Sequence, residues 1–228
     1  MSVGRFTKWR SLIDGQEALA IPDSVVTQYE FEDDSDTSTA IDSVGDNDAT
    51  LSAPTYNSST VQVGSNSLEF DGVDDELTSG STVDLVTSGE SEAVSFAGWL
   101  YPFDTDLRVP FGHWSEGGNR FYLWNDGDGH YNFGHAADTA ETVVGPSITT
   151  NEWVHFYIEI TQSDATMKLD NTEVASYSHD SDITELDPMT LRSGYDPFDN
   201  YANQIVDDLF AMNGTLSETE IQQLIDRA

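Results

Sequence analysis

Cysteine is absent from the 228 residues of this chain, so no disulfide bond can crosslink its fold. Positive charge is scarce, because 8 lysines and arginines stand against 42 aspartates and glutamates, for a formal net charge of −34. Nucleic-acid binding is not expected, since phosphate contacts need clustered cations. No stretch is long and apolar enough for a membrane-spanning helix, so membrane insertion is not expected either.

The acidic residues are distributed along the whole chain rather than gathered in a tail. In dilute buffer such a surface repels itself and weakens the compact state. At about 1 M salt the Debye length falls to about 3 Å, and this repulsion is largely screened. The composition therefore predicts a folded protein from a very salty environment, with an acidic calcium-binding protein as the alternative.

The first 24 residues differ in composition from the rest, because they hold three of the eight basic residues. Apolar side chains recur there at helix-like spacing until Pro22 breaks the pattern. We expect residues 1–24 to form a docking arm, with a frayed terminus as the alternative. The segment shows neither an apolar signal core nor a twin-arginine pair, which favours release by a route other than secretion. The predicted docking residues are Arg5, Phe6, Lys8, Trp9, Arg10, Leu12 and Ile13.

From residue 25 to residue 228 the pattern is that of one β-rich domain. Trp153–Thr161 alternates between apolar and polar residues, and the Asp170-Asn171 pair predicts a hairpin turn. Many short strands with regular turns predict an all-β, two-sheet antiparallel β-sandwich. One short C-terminal helix is predicted after Ser217, which with Glu220 forms a capping box.

Six segments, in order, resemble the LamG-like, concanavalin A-like lectin jelly rolls. The resemblance covers about 200 residues and implies two antiparallel sheets, one of them concave, with frequent calcium and glycan binding. The segments are YEFEDDSDTSTAIDSVGDNDATL (29–51), SLEFDGVDDELTSG (67–80), VSFAGWLYP (94–102), NEWVHFYIEI (151–160), MKLDNTEVAS (167–176) and QIVDDLFAMNGTLSETEIQQLI (204–225).

A structural calcium ion is one candidate ligand. Calcium prefers six to eight oxygen ligands, and the loop 42–48 concentrates oxygens around a glycine. In the resembling family this loop can lie beside the final strand, where Asp207 and Asp208 should point to opposite faces. A solvated acidic loop is the alternative. The predicted ligands are Asp42, Asp46, Asn47, Asp48 and Asp207.

A glycan platform is the second candidate, because sugars stack on exposed aromatic rings and bond to nearby polar groups. Alternation places aromatic side chains on one face of strands 121–124 and 153–159, which we expect to line the same concave sheet. Rings buried in the core are the alternative. The predicted glycan-binding residues are Trp114, Tyr122, Trp124, Tyr131, His155 and Tyr157.

Catalysis is not expected from the sequence. Glycoside hydrolysis needs two suitably spaced carboxyl groups. The Glu-x-Asp-x-x-Glu run of the concanavalin-like glucanases is missing, although Glu30 and Glu32 should share a face of the first strand. No Gly-x-Ser-x-Gly motif is present, and the five histidines match no compact metal motif.

These features favour a non-catalytic virion structural protein of a haloarchaeal virus, such as a turret, fibre or tail appendage. The lectin-like head, on the virion surface, would decorate the particle or bind host cell-surface glycans or glycoproteins. The arm would bind other virion proteins, and a homo-oligomer is expected. One alternative is a cellular adhesion module at the cell surface or outside the cell. A polysaccharide lyase or hydrolase is the other.

Overall fold

The structure is a computed structural model that describes residues 21–79, 93–114, 120–136, 141–180, 183, 191–193 and 201–228. At residues 113, 114, 120, 135, 136 and 141–143 the description covers the backbone alone. Within these residues the chain forms two antiparallel sheets and one helix, which confirms the predicted sandwich with its short C-terminal helix.

The first sheet, here called sheet A, has the strand order β14-β13-β12-β7-β16-β5-β4, and β1 also pairs with β16. Its strands are β1 (Val25–Tyr29), β4 (Thr55–Asn57), β5 (Ser67–Asp71), β7 (Ala93–Pro102), β12 (Val154–Thr161), β13 (Asp164–Leu169), β14 (Thr172–Ser178) and β16 (Asn203–Asn213).

The second sheet, sheet B, has the order β11-β10-β9-β8-β15-β6-β3-β2. Its strands are β2 (Thr39–Ala40), β3 (Ala49–Ser52), β6 (Glu76–Ser79), β8 (Arg108–Trp114), β9 (Arg120–Asn125), β10 (His130–Ala136), β11 (Glu141–Ser147) and β15 (Leu191–Ser193).

The main hydrophobic core lies between the two sheets. Phe96 of sheet A stacks on Phe121 of sheet B, with ring centroids 4.1 Å apart. Phe111 packs against the same two rings, and all three are at most 1% exposed. Successive side chains of a strand point to opposite faces of its sheet. The residues next to these core residues therefore point outward.

A second, smaller core covers the outer face of sheet A. The helix α1 (Glu218–Ile225) begins after Ser217, and the predicted capping box with Glu220 is present. Its buried residues Ile221 and Leu224 pack with Phe210 and other apolar side chains of the outer face. The helix is therefore stabilised by burial of its apolar face on sheet A, because a helix this short is not stable on its own in water.

The predicted turns have a local physical cause. Asp170 and Asn171 have φ angles of 46° and 59°, the left-handed conformation that a two-residue hairpin turn requires and that Asp and Asn tolerate. The predicted strand Trp153–Thr161 is confirmed as β12 (Val154–Thr161).

Candidate functional site

One continuous row of outward-facing positions crosses sheet B from edge to edge. Backbone pairing links each position to the next across neighbouring strands, and we call this set the transverse row. From β11 to β2 the row reads Thr142, Gly134, Tyr122, Gly112, Arg192, Thr78, Thr50 and Thr39. The residues before and after many of these positions are buried in the main core, so the row belongs to the outer face.

Two predicted aromatic residues form a pair on this face. The rings of Tyr122 and Trp124 have centroids 4.6 Å apart with an interplanar angle of 47°. Both side chains are half-buried, while Phe121 and Leu123 between them are fully buried in the core. Trp124 pairs with Asn132 on the next strand, which is buried and whose side-chain amide donates to the backbone oxygen of His130 at 3.3 Å. The pair offers two apolar ring surfaces with polar groups nearby, the arrangement that sugar recognition uses.

Glycines flank Tyr122 on both neighbouring strands. Its cross-strand partners are Gly112 on β8 and Gly134 on β10. A Cβ atom at Gly112 would lie 3.0 Å from the Cβ of Tyr122 and 2.7 Å from the backbone oxygen of Phe121. A side chain at residue 112 would therefore collide with Tyr122, and the glycine permits the close contact of β8 with β9 at this position.

The predicted platform combined strands 121–124 and 153–159 on one sheet, and this prediction is wrong. Strand β9 lies in sheet B, whereas β12, which contains His155 and Tyr157, lies in sheet A. Both strands carry outward aromatic residues, but they face opposite sides of the molecule. Alternation within a strand does not reveal which sheet the strand joins, because sheet membership is set by pairing with distant segments.

Tyr157 is fully buried beneath the C-terminal helix rather than open to a ligand. It packs in the second core with Phe210 and Leu216. Its hydroxyl accepts a hydrogen bond from the backbone N–H of Leu216 at 2.8 Å and donates one to Glu159 at 3.0 Å. Burial is the main cause that raises the pKa of this hydroxyl. Tyr157 therefore anchors the segment that leads into the helix.

His155 is also buried, at 1% exposure, with its ring edge-on to Trp99 at 5.1 Å. Neither ring nitrogen has a hydrogen-bond partner in the structure. Burial lowers the pKa of this histidine to about 3, so the ring is neutral at ordinary pH. The predicted role of His155 in sugar binding does not fit this position.

Tyr131 faces the main core at 2% exposure, and burial raises the pKa of its hydroxyl. It therefore does not belong to the outer face of sheet B. For Trp114 the structure describes the backbone, which pairs with Arg120 of β9. Of the six predicted glycan-binding residues, the geometry brings together Tyr122 and Trp124.

The predicted calcium ligands do not form a compact cluster of carboxylates within the described residues. Oδ1 of Asp42 accepts backbone N–H groups from Gln28, Val44 and Gly45 at 3.0 to 3.1 Å, and Oδ2 accepts one from Asn47 at 3.1 Å. This carboxylate therefore organises its own loop. Asp48 takes part in the same loop by accepting the backbone N–H of Asp42 at 2.9 Å.

Asp207 serves a different loop from Asp42. Its Oδ2 accepts the backbone N–H groups of Gln62 and Val63, both at 2.9 Å. Asp208, at a bulge in β16 with a φ of 48°, is the aspartate linked to the Asp42 loop, because its Oδ1 accepts the amide of Gln28 at 2.6 Å. Within the described residues, no three of Asp42, Asp46, Asp48 and Asp207 bring carboxylate oxygens within 4.8 Å of one another.

The two carboxylate oxygens of Asp207 differ in their hydrogen bonding. The residue is 0% exposed, and its Oδ1 has no hydrogen-bond partner. Burial is the largest cause that raises the pKa of Asp207 to about 7, and the charges of Asp208 and Glu32 act in the same direction. The Glu32 carboxylate accepts the backbone N–H groups of Ser65 and Asn66 at 3.0 to 3.4 Å. The carboxylates of Asp207 and Glu32 thus both accept backbone N–H groups of the loop 62–66.

A second acidic group lies at the turn after β5. Asp71, Asp74 and Asp75 have carboxylate oxygens within 4.8 Å of one another and could hold a metal ion. Asp75 is the buried member and accepts the backbone N–H of Asp71 at 2.7 Å. These carboxylates lie in the segment 67–80 that resembles the lectin jelly rolls, but they are not among the calcium ligands predicted from sequence.

The predicted docking residues Arg5 to Ile13 lie outside the described residues. In the part of the chain that the structure covers, no helix is long and apolar enough to cross a membrane.

A family model described as the concanavalin A-like lectin/glucanases superfamily matches residues 71–222, which is more than half of the chain. The chain belongs to this superfamily. The resemblance inferred from the six sequence segments is thereby confirmed. No curated protein sequence matches the chain.

Solved structures share the fold at low sequence identity. Domain 4 of AbnA, an extracellular arabinanase of Geobacillus stearothermophilus solved with arabinotriose, has a TM-score of 0.69 and 17% identity, covering 90% of this chain and 98% of that one. A Trypanosoma rangeli sialidase has a TM-score of 0.66 and 15% identity, covering 93% of this chain and 34% of the sialidase. The binding domain of botulinum neurotoxin serotype D has a TM-score of 0.69 and 12% identity, covering 90% of this chain and 51% of that domain.

This chain therefore spans about a third of the sialidase and about half of the toxin domain. Its lectin-like fold occurs in enzymes and in binding domains alike.

Proposed function

We propose that this protein is a non-catalytic glycan-binding protein whose binding surface is the outer face of sheet B. The observation that carries the proposal is the half-buried pair of Tyr122 and Trp124, 4.6 Å apart on a face flanked by glycines. Ring faces that remain accessible on a sheet can stack on the apolar face of a sugar. The threonines of the transverse row supply hydrogen-bonding groups along the same surface.

The comparison with domain 4 of the arabinanase supports this proposal, because that domain was solved with arabinotriose. Catalysis is not part of the proposal. Phe31 has a φ of 56°, and β1 ends at Tyr29, so Glu30 and Glu32 do not follow the alternation of a regular strand. Glu30 contacts Arg227, and Glu32 accepts the N–H groups of its loop. Both carboxylates are thus engaged by separate structural partners.

We further propose that the protein works as a virion surface protein of a virus from a very salty environment. The net charge of −34 supports the salt requirement. The basic, apolar segment 1–24 supports docking onto other virion proteins, and a homo-oligomer would turn weak sugar contacts into avidity. A cellular surface adhesion module would use the same binding face. Deletion of residues 1–20 should leave a glycan-binding head that no longer joins particles, and a truncated protein that still assembles would refute the docking role.

Calcium is the second part of the proposal, at a site that keeps Asp207 from the ligands expected from sequence and replaces the loop 42–48 by Glu32. The buried, unpartnered Oδ1 of Asp207 and the nearby charge of Glu32 fit a hard cation, which prefers carboxylate and carbonyl oxygens. A bound ion would compensate the free oxygen and the repulsion between the two carboxylates. Its role would be to fix the loop 62–66 against β16.

Glycan binding is tested with oligosaccharide panels in molar salt. The double variant Tyr122→Ala/Trp124→Ala should lose binding by about 10-fold or more, since each stacked ring contributes about 1 kcal/mol. Trp153→Ala is the matched control, because Trp153 is a half-buried ring in contact with Tyr101 beside sheet A. Equal binding by wild type and double variant would refute the proposed surface, and product release from a polysaccharide would refute the non-catalytic role.

The calcium proposal is tested by the melting temperature with calcium, with magnesium and with chelator at constant ionic strength. Calcium at about 100 times its Kd should stabilise the wild type by about 2.7 kcal/mol. Asp207→Asn should abolish the effect, whereas Asp75→Asn should retain it. The reverse result would assign the ion to Asp71, Asp74 and Asp75, and no effect of calcium on the wild type would exclude a stabilising ion.

A further inference from the structure

A small cavity opens on the surface where the chain leaves β1. It has a volume of about 200 Å³ and is lined by residues 30–33 after β1, by Ile41 and Ser43 after β2, and by Tyr56 of β4. This volume holds about six or seven water molecules at about 30 Å³ each. It therefore fits one long side chain, and it is too small for an oligosaccharide.

The cavity carries strong negative charge. The side chains of Glu30, Glu32 and Asp33 line it. Burial raises the pKa of the Tyr56 hydroxyl, and the charges of three nearby aspartates, Asp33 among them, raise it further. Carboxylates beyond the lining thus add to the negative potential at this ring, and an anionic ligand is disfavoured.

The described cations compensate only part of this charge. Arg227 contacts Glu30 at 3.4 Å and also contacts a buried carboxylate of β16. The hydrogen bonds to Glu32 and Asp33 come from backbone N–H groups and one serine hydroxyl, which carry no net charge. Among the residues that the structure describes, neither Glu32 nor Asp33 forms an ion pair. A cationic group in the cavity would therefore form charge-assisted hydrogen bonds with these carboxylates.

Two apolar surfaces decide which kind of cation fits the cavity. Ile41 is 46% exposed, and the ring of Tyr56 is half-buried. A metal ion would gain nothing from either surface, since hard cations prefer oxygen ligands. The methylene stem of lysine or arginine packs on apolar side chains, while its charged group binds carboxylates or lies over an aromatic ring. The cavity therefore suits a basic side chain.

Basic side chains are concentrated in the segment 1–20, which holds three of the eight in the whole chain. Arg5, Lys8 and Arg10 are interspersed there with the apolar residues Phe6 and Trp9. The segment thus offers the combination of positive charge and apolar surface that the cavity lacks.

The segment joins the described fold at the core that α1 covers. Ile21 and Ile225 both pack on this second core, and Arg227, two residues after Ile225, contacts Glu30 of the cavity. Because 20 extended residues span about 65 Å, the segment can reach the cavity. A flexible tether of this kind gives an effective concentration of the order of millimolar.

We propose that residues 1–20 bind back onto the same chain, with a basic side chain of the segment in this cavity and its apolar neighbours against Ile41 and Tyr56. The tether favours the same chain over a neighbouring copy in dilute solution. The bound segment would leave the cavity when another virion protein offers a stronger site. This inference goes beyond the glycan-binding function and does not depend on it.

The test uses the absence of cysteine, because any disulfide bond then joins two introduced residues. Ser11→Cys places one thiol in the segment, and Ser43→Cys places the other in the lining of the cavity. In the control, Ser147→Cys replaces Ser43→Cys, since Ser147 is exposed on β11 at the opposite edge of sheet B from β2. The full chain is oxidised at low protein concentration in molar salt. Calcium is kept at one constant level, since Glu32 also belongs to the proposed calcium site.

Each rate of disulfide formation is divided by the reactivity of the thiol at position 43 or 147 toward a small disulfide reagent. The pair at positions 11 and 43 should then form an intramolecular bond about 10-fold or more faster than the pair at positions 11 and 147.

Charge variants test the recognition of basic side chains. Arg5→Gln/Lys8→Gln/Arg10→Gln should lower the ratio of the two rates by about threefold or more, because the ion pairs with the cavity are lost. Asp33→Asn should lower the ratio as well. Asp128→Asn is its matched control, since it makes the same change in charge at an exposed turn of sheet B and should leave the ratio unchanged.

Three results would overturn the inference. The first is a normalised rate at position 43 that is no higher than at position 147. The second is an unchanged ratio in the triple variant, which would exclude recognition of basic side chains. The third is crosslinked dimers in place of intramolecular bonds, which would assign the segment to a neighbouring copy. If Ser43→Cys unfolds the protein, as judged by circular dichroism, Ile41→Cys provides the same measurement at a more exposed position of the cavity.

Discussion

The outer faces of the two sheets carry similar sequence patterns but have different structural roles. On β9 of sheet B, Tyr122 and Trp124 alternate with core residues and stay half-buried. On β12 of sheet A, His155 and Tyr157 alternate in the same way but are fully buried. The helix α1 and its leading segment cover Tyr157 and form a second core. An outward aromatic pattern therefore identifies a face of a strand, and the rest of the fold decides whether that face is core or surface.

The largest expected difference between the two faces is in stability. Tyr157→Ala removes a fully buried ring and the acceptor of the Leu216 N–H, so it should lower the free energy of unfolding by about 3–5 kcal/mol. Tyr122→Ala should lower it by about 1 kcal/mol or less, since its ring is half-buried on an outer face. Chemical denaturation in molar salt measures both. Similar losses in the two variants would contradict the assignment of one ring to a core and the other to a surface.

The next effect concerns the ion pair that fixes the end of the helix to sheet A. Arg227 contacts the buried Asp208 at 3.1 Å and Glu30 at 3.4 Å. Arg227→Gln should cost about 2–4 kcal/mol, because it leaves the buried carboxylate without its cation. Burial is the largest cause that raises the pKa of Asp208 to about 6, and Arg227 opposes it.

The double variant Arg227→Gln/Asp208→Asn should recover part of this loss in denaturant unfolding. If the two substitutions are simply additive, the pair does not hold the helix end.

The last effect is small near neutral pH, grows as the pH falls and involves His155. Its pKa is lowered from 6.5 in the unfolded chain to about 3 in the fold. The unfolded state therefore takes up the proton first, and the free energy of unfolding should fall by about 1.4 kcal/mol per pH unit as pH drops below 6.5. His155→Phe should lose less stability than wild type between pH 7 and pH 4, measured by urea unfolding. His130→Gln, at a half-exposed site, serves as the control, and an unchanged acid slope in His155→Phe would contradict the burial of His155.

Local signals in the sequence predicted much of the fold. The capping box at Ser217 and the hairpin at Asp170-Asn171 depend on neighbouring residues, and both are confirmed. Alternation along one strand also predicted that Tyr122 and Trp124 share a face, and their rings are in contact in the structure. The superfamily was also recognisable from the order of six short segments.

The positions that the sequence did not predict depend on distant parts of the chain. The transverse row forms through pairing of β15 with β8 and β6, so no local signal in the sequence places Arg192 and Gly112 in the same row. Asp42 was expected to bind a cation, but the N–H groups of its own loop satisfy its carboxylate. Asp207 binds a loop about 145 residues earlier in the chain, which no spacing pattern indicates.

Mapping a bound oligosaccharide by NMR tests the central claim most directly. The protein is labelled at its aromatic, threonine and isoleucine side chains, and signals are followed during titration with the tightest-binding oligosaccharide. The account predicts that Tyr122, Trp124 and Thr78 shift with one common dissociation constant, while Tyr157 and the helix residue Ile221 do not change. Shifts confined to sheet A, or a binding protein whose Tyr122 and Trp124 signals stay unchanged, would contradict it.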